Sequence, residues 1–482
     1  MKPAASTLPA VTPSGRATPP VPPGPRGFWA PVRNLLELRR DPPAFFLKLA
    51  REYGPVSSLQ FLGRRLYFFA APEGVREVLV TQADSMQKGF LVKRIWESLV
   101  GVMGNGLLTS EGEFHARQRR LVVPSFHRER LARYAAIMVE NTAAHTARWT
   151  DGQSMDFAEE MSHLTLGIVG QSLFGANLGQ NAEAIGQALG TLMSLVERTR
   201  SPLQQLPWSR SAREYEHART KLDEVVLGMI TARRASGEHD RGDLLSVLML
   251  ARDEETGGPG MTDTQIRDEV MTIMLAGHET TASALAWTFH LLAQRPEVET
   301  LLHAELDEVL PPGYTPTLAD LSRLVYTRQV LSESMRLYPP AWILARRTTE
   351  AVTVAGWSLP ANAACVLSPY ASHRDPRWFP EPERFLPERW EKEAAAARPK
   401  HAYFPFGGGP RSCAGEAFAW MEGTLLLAEI ARNWRLAPDA AYPPPEKLAA
   451  ITLRPRRGMR MRSLRRTGTG ALNPPAGPDA VC

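Results

Sequence analysis

The segment Thr262–Pro296, TDTQIRDEVMTIMLAGHETTASALAWTFHLLAQRP, constrains the fold more than any other stretch of the chain. Thr262 and Gln265 form a capping-box pattern at its start, and Pro296 closes it. A helix of about 30 residues reaches ~45 Å, which is the width of a large domain. Because apolar residues occur around most of this helix, we expect it to be buried through its middle.

The remaining sequence is dominated by helical patterns. Residues 72–337 contain few strand-like runs, and a helical pattern returns at Gly415–Trp434. Two β-rich runs surround a Leu-Gly turn after Gly54, which predicts a hairpin, and another β-rich segment spans Thr353–Tyr370. Strands do not alternate regularly with helices, which argues against a doubly wound α/β fold. The predicted fold class is therefore mainly α with small β-sheets.

Composition and cysteine usage predict a soluble, cytoplasmic protein. The three cysteines, Cys365, Cys413 and Cys482, are too few and too scattered for a disulfide framework. No apolar run approaches the ~18–20 residues that span a bilayer. The N-terminus carries eight prolines and lacks the apolar core of a signal peptide. We expect Cys365 and Cys482 to be structural and incidental.

Two tails are predicted around one large domain. Residues 1–26 are Pro-rich and expected to be disordered, and residues 27–458 form the domain. Residues 459–482 are expected to be a basic, Pro- and Gly-rich tail, since seven arginines fall in Arg454–Arg466. The net charge of +5 is modest, and no binding motif accompanies it, so nucleic acid is not an expected partner.

Cys413 lies in the stretch Phe404–Gly415, FPFGGGPRSCAG, where four glycines surround it. A lone cysteine is most often a small buried apolar residue, and a nucleophile would need a histidine base. Zinc or an iron–sulfur cluster would need further Cys or His nearby, and none is close in sequence. A single cysteine suffices as the axial thiolate of a haem, because the porphyrin supplies the other four ligands.

The residues Phe406, Gly409, Arg411, Cys413 and Gly415 fit the pattern F-x-x-G-x-R-x-C-x-G, which resembles the signature of cytochrome P450 haem-thiolate monooxygenases. The resemblance implies a single large domain around a buried haem b, with Cys413 as the iron ligand. It also implies that Arg411 pairs with a haem propionate and that Phe406 packs beside the sulfur. Amides aimed at that sulfur would tune the iron's potential.

Other segments repeat this resemblance. Gly112–Phe126, GEFHARQRRLVVPSF, is similar to the family's C helix, which implies that His115 and Arg119 contact the propionates. Arg346, downstream of two prolines, fits another propionate contact. Glu333 and Arg336 match E-x-x-R, one helical turn apart, and are expected to form a structural network with Arg384 of the segment PERF. The simpler alternative is an exposed pair of little energetic value.

The turn Ala276–Thr281, AGHETT, resembles the family's oxygen-activating turn. The resemblance implies that Thr280 holds water or dioxygen, that Glu279 supplies protons, and that Ala276 and Gly277 leave space for dioxygen. The alternative for Thr280 is a hydrogen bond from its hydroxyl to the backbone one turn earlier. With these residues the expected reaction inserts one oxygen atom from dioxygen into a C–H bond.

The substrate prediction depends on a narrower resemblance. Arg336–Arg347, RLYPPAWILARR, looks like the corresponding segment of bacterial carotenoid-ring hydroxylases, with Ala341, Trp342 and Ile343 near the substrate. Hydroxylation of a carotenoid end ring is therefore the main expectation, and a fatty acid or a terpenoid is the alternative substrate. A haem-binding sensor without turnover is the distant alternative.

An apolar channel is expected for such a substrate. Phe90–Gly104 is a candidate wall, and Met193–Trp208 is a candidate cover that contacts lipid, although ordinary packing explains either segment equally well. Peripheral membrane contact is accordingly left open. Electrons are expected from NAD(P)H through a separate ferredoxin and ferredoxin reductase, which would dock near Arg117, Arg120 and Arg411.

Overall fold

Helices form most of the protein in the computed structural model, which describes residues 21–61, 63–89, 93–126, 128–175, 185–192, 195, 209–237, 240–252 and 260–466. The α-helices are α1 (Ala30–Arg40), α2 (Pro42–Tyr53), α3 (Pro72–Arg76), α4 (Lys93–Met103), α5 (Gly112–Val122), α6 (Arg128–Thr146), α7 (Phe157–Phe174), α8 (185–192), α9 (Arg210–Ala235), α10 (Leu244–Leu250), α11 (Asp263–Leu292), α12 (Pro296–Val309), α13 (Val325–Leu337), α14 (Pro369–Ser372), α15 (Lys392–Ala396) and α16 (Glu416–Asn433).

The long helix predicted from the sequence is α11, and its start is confirmed. The Thr262 hydroxyl accepts from the Gln265 amide at 3.2 Å, and the Gln265 side chain accepts from the Thr262 amide at 2.9 Å. The helix packs against α7, α9, α13 and α16, and most of its residues are buried. It is therefore the centre of the largest hydrophobic core, as its apolar pattern predicts.

The largest sheet has five strands in the order β1 (Val56–Phe61), β2 (Arg64–Phe69), β8 (Ala364–Leu367), β5 (Leu344–Thr348) and β3 (Met86–Lys88). The predicted hairpin is confirmed, since β1 and β2 pair antiparallel from Val56↔Phe69 to Phe61↔Arg64. β2 pairs parallel with β8, and the remaining pairs are antiparallel. The register places Lys88 opposite Arg346, so the side chains of two distant segments are brought together.

The other sheets are small. A three-stranded sheet has the order β4 (Ser154–Asp156), β12 (Arg460–Arg465) and β9 (Trp434–Pro438), and two hairpins are formed by β6 (Val352–Val354) with β7 (Trp357–Leu359) and by β10 (Lys447–Ala449) with β11 (Leu453–Pro455). Because β12 is a central strand, the ordered fold extends beyond residue 458, where the sequence analysis began the C-terminal tail. Residues 1–20 and 467–482 of the predicted tails lie outside the described residues.

The part of the chain that the structure describes contains no helix that is long and apolar enough to cross a membrane. The predicted class, mainly α with small sheets, is confirmed by the elements and by their order. A second hydrophobic cluster lies between α2 and the five-stranded sheet and includes Phe45, Phe46, Phe68 and Trp342.

Candidate active site

Cys413 follows a 3₁₀ turn, Gly409–Arg411, and precedes α16. Its amide donates to the Phe406 carbonyl at 3.0 Å, which closes the loop. Its side chain is accessible, yet enough protein surrounds the sulfur that burial raises the pKa of the thiol. The Gly415 amide donates to the sulfur and acts in the opposite direction. An accessible sulfur with an amide aimed at it is suited to bind a metal as a thiolate.

Gly409 is required by the packing of this loop. Its φ is +67°, and a Cβ at this position would lie 1.9 Å from the Leu79 carbonyl oxygen. Any larger residue would therefore push the loop away from the π-helical turn Glu77–Thr81. The ring of Phe406 packs against Trp420 of α16, with 5.3 Å between the ring centroids, and this contact supports the loop from the helix side.

Basic side chains from three distant segments converge beside the Cys413 loop. Arg119 of α5 donates to the Ser412 carbonyl at 2.6 Å and to its hydroxyl at 3.1 Å. Arg411 donates to the Ser110 carbonyl at 2.7 Å and pairs with Glu111. Since these bonds hold Arg411 inside the protein, it does not belong to the outer docking surface where the sequence analysis also placed it.

His115, Arg346 and Lys88 complete this cluster, which we call the cationic cluster after its lysine and arginines. Burial, followed by Arg411 and Lys88, lowers the pKa of His115 to about 3. Burial and Arg411 lower the pKa of Arg346 to about 10. Lys88 was missed by the sequence analysis; burial and the charges of Arg411 and Arg346 lower its pKa to about 7. Its amide donates to Glu111 at 2.7 Å, and its ammonium donates to the Leu108 carbonyl.

The charge balance of this cluster fits the propionates of a haem. Four basic side chains, those of Lys88, Arg119, Arg346 and Arg411, lie in or beside it, and the acid Glu111 pairs with Arg411. Buried charges are stable only when they are paired, and two carboxylates would supply the missing negative charge. The cluster and the accessible Cys413 sulfur together fit haem b. The residues predicted to contact the propionates lie together in this cluster.

The loop 104–111 connects this cluster to α11. The Asn105 amide donates to Asp268 at 2.8 Å, and the Leu107 amide donates to Glu269 at 3.0 Å. Glu269 is fully buried, and burial raises the pKa of its carboxyl to about 7, although the bond from Leu107 lowers it. The two acids at the start of α11 thus hold the loop whose other end carries Ser110 and Glu111.

Ala276, Gly277 and Thr280 form an accessible stripe in the middle of α11. Ala276 is exposed, and Gly277 and Thr280 are half-buried, while their neighbours Leu275, His278 and Thr281 are buried. The Thr280 hydroxyl donates to the Ala276 carbonyl at 2.8 Å, which is the backbone bond that the sequence analysis weighed as the alternative. The hydroxyl oxygen can still accept a hydrogen bond from a molecule beside the stripe.

Gly277 lies where α11 packs closely against α7. A Cβ at Gly277 would lie 3.3 Å from Cγ2 of Val169 on α7, so the missing side chain lets the two helices approach closely. The expectation that Gly277 also leaves space for dioxygen stays a prediction. Ala276 has an exposed small side chain on the same stripe.

Glu279 points away from Thr280. Its carboxylate accepts from the Thr452 hydroxyl at 2.9 Å and lies 3.5 Å from Nε of Arg454. Burial raises its pKa, and these two partners lower it. The side chain lines a cleft of about 530 Å³ together with Glu159, Arg454 and Arg456, so the carboxylate faces this cleft rather than the Thr280 hydroxyl.

Glu333 and Arg336 form a buried network, as predicted. Nε and Nη2 of Arg336 each donate to the Glu333 carboxylate at 2.8 Å, and both side chains are 0% exposed. Arg336 also donates to three carbonyls, at His373, Pro382 and Arg384. The alternative of an exposed pair is therefore wrong.

The third member of this network is Arg389 and not Arg384. Arg389 Nε and Trp390 Nε1 each donate to Glu333 at 3.0 Å. The Arg384 side chain pairs with Glu381 and is 52% exposed, so Arg384 contributes only its carbonyl. The chain contains Pro-Glu-Arg-aromatic twice, at 382–385 and 387–390, and the second copy was the signal that the sequence analysis overlooked.

The family model for cytochrome P450 matches residues 22–460, which include every residue of the site described above. The chain is a cytochrome P450. The crystal structure of the cytochrome P450DA heme domain has a TM-score of 0.82 to this protein, with 27% sequence identity over 93% of this chain and 98% of that chain. The monooxygenase activity, the haem b and the need for electrons from separate redox proteins are properties of this family.

Several curated relatives of this P450 have named substrates or products. Cyclooctatin synthase from Streptomyces melanosporofaciens is 42% identical over 420 residues, which are 86% of this chain and 89% of the relative. Cyclooctat-9-en-7-ol 5-monooxygenase from the same organism is 37% identical over 89% and 93% of the two chains. Pentalenene oxygenase from Streptomyces avermitilis is 35% identical over 88% and 93%. Protein LUTEIN DEFICIENT 5, chloroplastic, from Arabidopsis thaliana is 29% identical over 88% and 75%.

The predicted substrate contacts of this P450 are only partly accessible. Trp342 is buried among Phe45, Phe46 and their neighbours, and its indole donates to the Ala450 carbonyl at 2.9 Å. Its role is therefore to join the second core to the β10–β11 hairpin. Ala341 and Ile343 are half-buried, and Ile343 packs against the same core.

One of the two predicted channel segments falls largely outside the described residues, and the other lies mostly within them. Of Met193–Trp208, the structure describes only Leu195, and Phe90–Val92 of the other segment are likewise outside. The described part of that segment, α4, packs on α11. Cys365 is buried in β8, and burial raises the pKa of its thiol to about 12, in agreement with a structural role.

Proposed function

We propose that this P450 hydroxylates a compact, cyclised terpenoid at an unactivated C–H bond. The observation that carries the proposal is the group of three relatives, 35–42% identical over most of both chains, whose names refer to cyclooctatin, cyclooctat-9-en-7-ol and pentalenene. A terpenoid was the alternative substrate in the sequence analysis, and the comparisons favour it over a carotenoid ring.

The packing of Trp342 weakens the main argument for a carotenoid substrate. The segment Arg336–Arg347 was the main basis for the carotenoid prediction, and Trp342 was its central residue. In the structure this indole is buried in a core cluster and bonded to Ala450, so it stabilises the fold rather than a substrate. Its presence therefore gives little information about which apolar molecule is oxidised.

The residues of the site have separable roles in this reaction. Haem b, when bound through Cys413, supplies the iron at which dioxygen is reduced. The Gly415 amide tunes the sulfur, and the cationic cluster neutralises the carboxylates of the cofactor and fixes its orientation. Ala276 leaves room on the accessible stripe, and the Thr280 hydroxyl is positioned to accept a hydrogen bond there.

We assign proton supply to Glu279, acting from the cleft on the far side of α11. The carboxyl has a raised pKa and partners that can exchange, Thr452 and Arg454, and it lines a cleft large enough for water. Consecutive helical residues point about 100° apart, so Glu279 and Thr280 face different sides of one helix. Glu279 would therefore take protons from solvent while Thr280 acts at the stripe.

A ferredoxin with its reductase is the proposed electron source. Arg120 is exposed and Arg117 is half-buried on α5, whose other face carries His115 and Arg119 toward the cationic cluster. Basic residues on the outside of this helix complement an acidic partner, and they lie on the element that supports the Cys413 loop.

The test is a binding and turnover panel with the purified holoenzyme. Pentalenene, β-carotene, lauric acid and a steroid are each titrated while the spin state of the haem is followed, and products are analysed by mass spectrometry after supply of ferredoxin, reductase and NAD(P)H. We expect a spin-state shift and a hydroxylated product with the cyclised terpene. A response to β-carotene or to lauric acid alone would refute the terpenoid assignment, and absence of product with any substrate would favour a non-catalytic role.

A further inference from the structure

The outer face of α1 presents large apolar side chains to solvent. Phe28 is 88% exposed, Trp29 71%, Leu36 61% and Val32 49%. The opposite side of the helix is packed, since Ala30 and Asn34 are buried. We call the four exposed residues the N-terminal face. Contiguous exposed apolar residues of this size mark interaction sites in soluble proteins.

A basic rim surrounds the N-terminal face. Arg26, Arg33, Arg39 and Arg40 are all exposed. The single acid of the helix, Glu37, is paired with Lys48 of α2 at 3.0 Å and does not offset them. Exposed aromatic and aliphatic residues within a ring of arginines are complementary to a surface whose outer layer is negatively charged and whose interior is apolar.

The chain that leads into this face is held in place by β1. The Ser58 amide donates to the Pro23 carbonyl at 2.8 Å, and the Ser58 hydroxyl donates to the Pro22 carbonyl at 2.9 Å. A cleft of about 230 Å³ beside the helix is lined by Arg26 and Arg65. The face is thus presented by a fixed segment, next to a cleft whose two guanidinium groups suit a phosphate.

We propose that the N-terminal face docks the holoenzyme on the surface of an anionic lipid bilayer. Phe28 and Trp29 lie at the level of the headgroups, where aromatic rings are favoured, and the arginines of the rim contact lipid phosphates. The occupant is a bilayer rather than a protein because the face combines exposed aromatic rings with exposed arginines, while the one acid of α1, Glu37, is paired with Lys48. This binding surface differs from Met193–Trp208, and its existence does not depend on which substrate the P450 oxidises.

The test measures partition of the full-length holoenzyme into phosphatidylcholine vesicles with and without phosphatidylglycerol. We expect binding to the vesicles that contain phosphatidylglycerol, decreasing with salt. The double variant Phe28→Ser/Trp29→Ser should bind about a hundredfold more weakly, since each large apolar side chain contributes roughly tenfold. Arg33→Glu/Arg40→Glu should reduce binding by about fivefold for each charge removed.

The matched control is Leu301→Ser, which changes a 50% exposed leucine on α12, remote in sequence from the face. It should bind vesicles like the parent protein, and all variants should keep the parent carbon-monoxide difference spectrum. The proposal is overturned if the parent protein does not bind anionic vesicles, whether because residues 1–20 cover the face or because a second copy of the protein does. Sedimentation velocity identifies a second copy. Equal binding by Phe28→Ser/Trp29→Ser also overturns it.

Discussion

Replacing Arg389 tests which arginine completes the buried Glu333 network. In the structure the Arg389 side chain is 8% exposed, and it donates to Glu333 at 3.0 Å and to the Glu381 carbonyl at 2.8 Å. Arg389→Ala removes both bonds, while Arg336 still neutralises the fully buried Glu333. We therefore expect a loss of about 2–3 kcal/mol in the free energy of unfolding, which is typical for hydrogen bonds to a buried charge.

Arg384→Ala is the matched control, because Arg384 occupies the equivalent position in the first Pro-Glu-Arg-aromatic copy. Its side chain pairs with Glu381 at the surface, so the substitution should leave stability within experimental error. Urea titrations of the holoprotein, followed by far-UV circular dichroism and by haem absorbance, give both values. An Arg384→Ala protein that is destabilised as much as Arg389→Ala would refute the assignment of Arg389.

Three further results are expected from the site. Cys413→Ser should abolish the characteristic carbon-monoxide difference band, and persistence of that band would exclude Cys413 as the iron ligand. Thr280→Ala should divert reducing equivalents into hydrogen peroxide, measured against product; unchanged coupling would remove Thr280 from proton handling. Burial raises the pKa of Glu269 from 4.5 to about 7, so the folded state holds a proton that the unfolded chain releases, and stability falls as pH rises between these values. Glu269→Gln should therefore raise the free energy of unfolding, measured by urea titration, by up to ~3 kcal/mol at pH 8 and change it little near pH 4.5. The same effect at both pH values would contradict this reasoning.

Local patterns in the sequence predicted the elements that carry the site. The capping box located the start of α11, the two β-rich runs gave the β1–β2 hairpin, and the i,i+3 spacing of Glu333 and Arg336 placed their side chains together. Each of these features is decided by residues a few positions apart. The arrangement of the Cys413 loop was predictable for the same reason, since its glycines and its arginine are all within one short stretch.

Features that depend on long-range pairing were not predictable in this way. Lys88 joins the cationic cluster because β3 pairs with β5 and places it opposite Arg346, and no pattern around Lys88 indicates this. Arg384 and Arg389 have the same local sequence, yet only the second, in the 3₁₀ turn Pro387–Trp390, is buried against Glu333. The close approach of Val169 on α7 to Gly277 likewise depends on tertiary packing, and no pattern around Gly277 indicates it.

The loop 104–111 joins the cationic cluster and the Cys413 loop to α11 through hydrogen bonds. Arg411 reaches Ser110, which is 301 positions away in the chain, and the same loop is held to α11 by Asp268 and Glu269. A carboxylate cofactor that neutralises the cluster therefore acts on both ends of this connection. Among the described residues, the four basic side chains of the cluster outnumber their acidic partner Glu111, and the carboxylates of that cofactor would compensate the remaining charge at the junction of all three elements. Binding of haem should thus stabilise the position of α11 as well as the loop that carries its iron ligand.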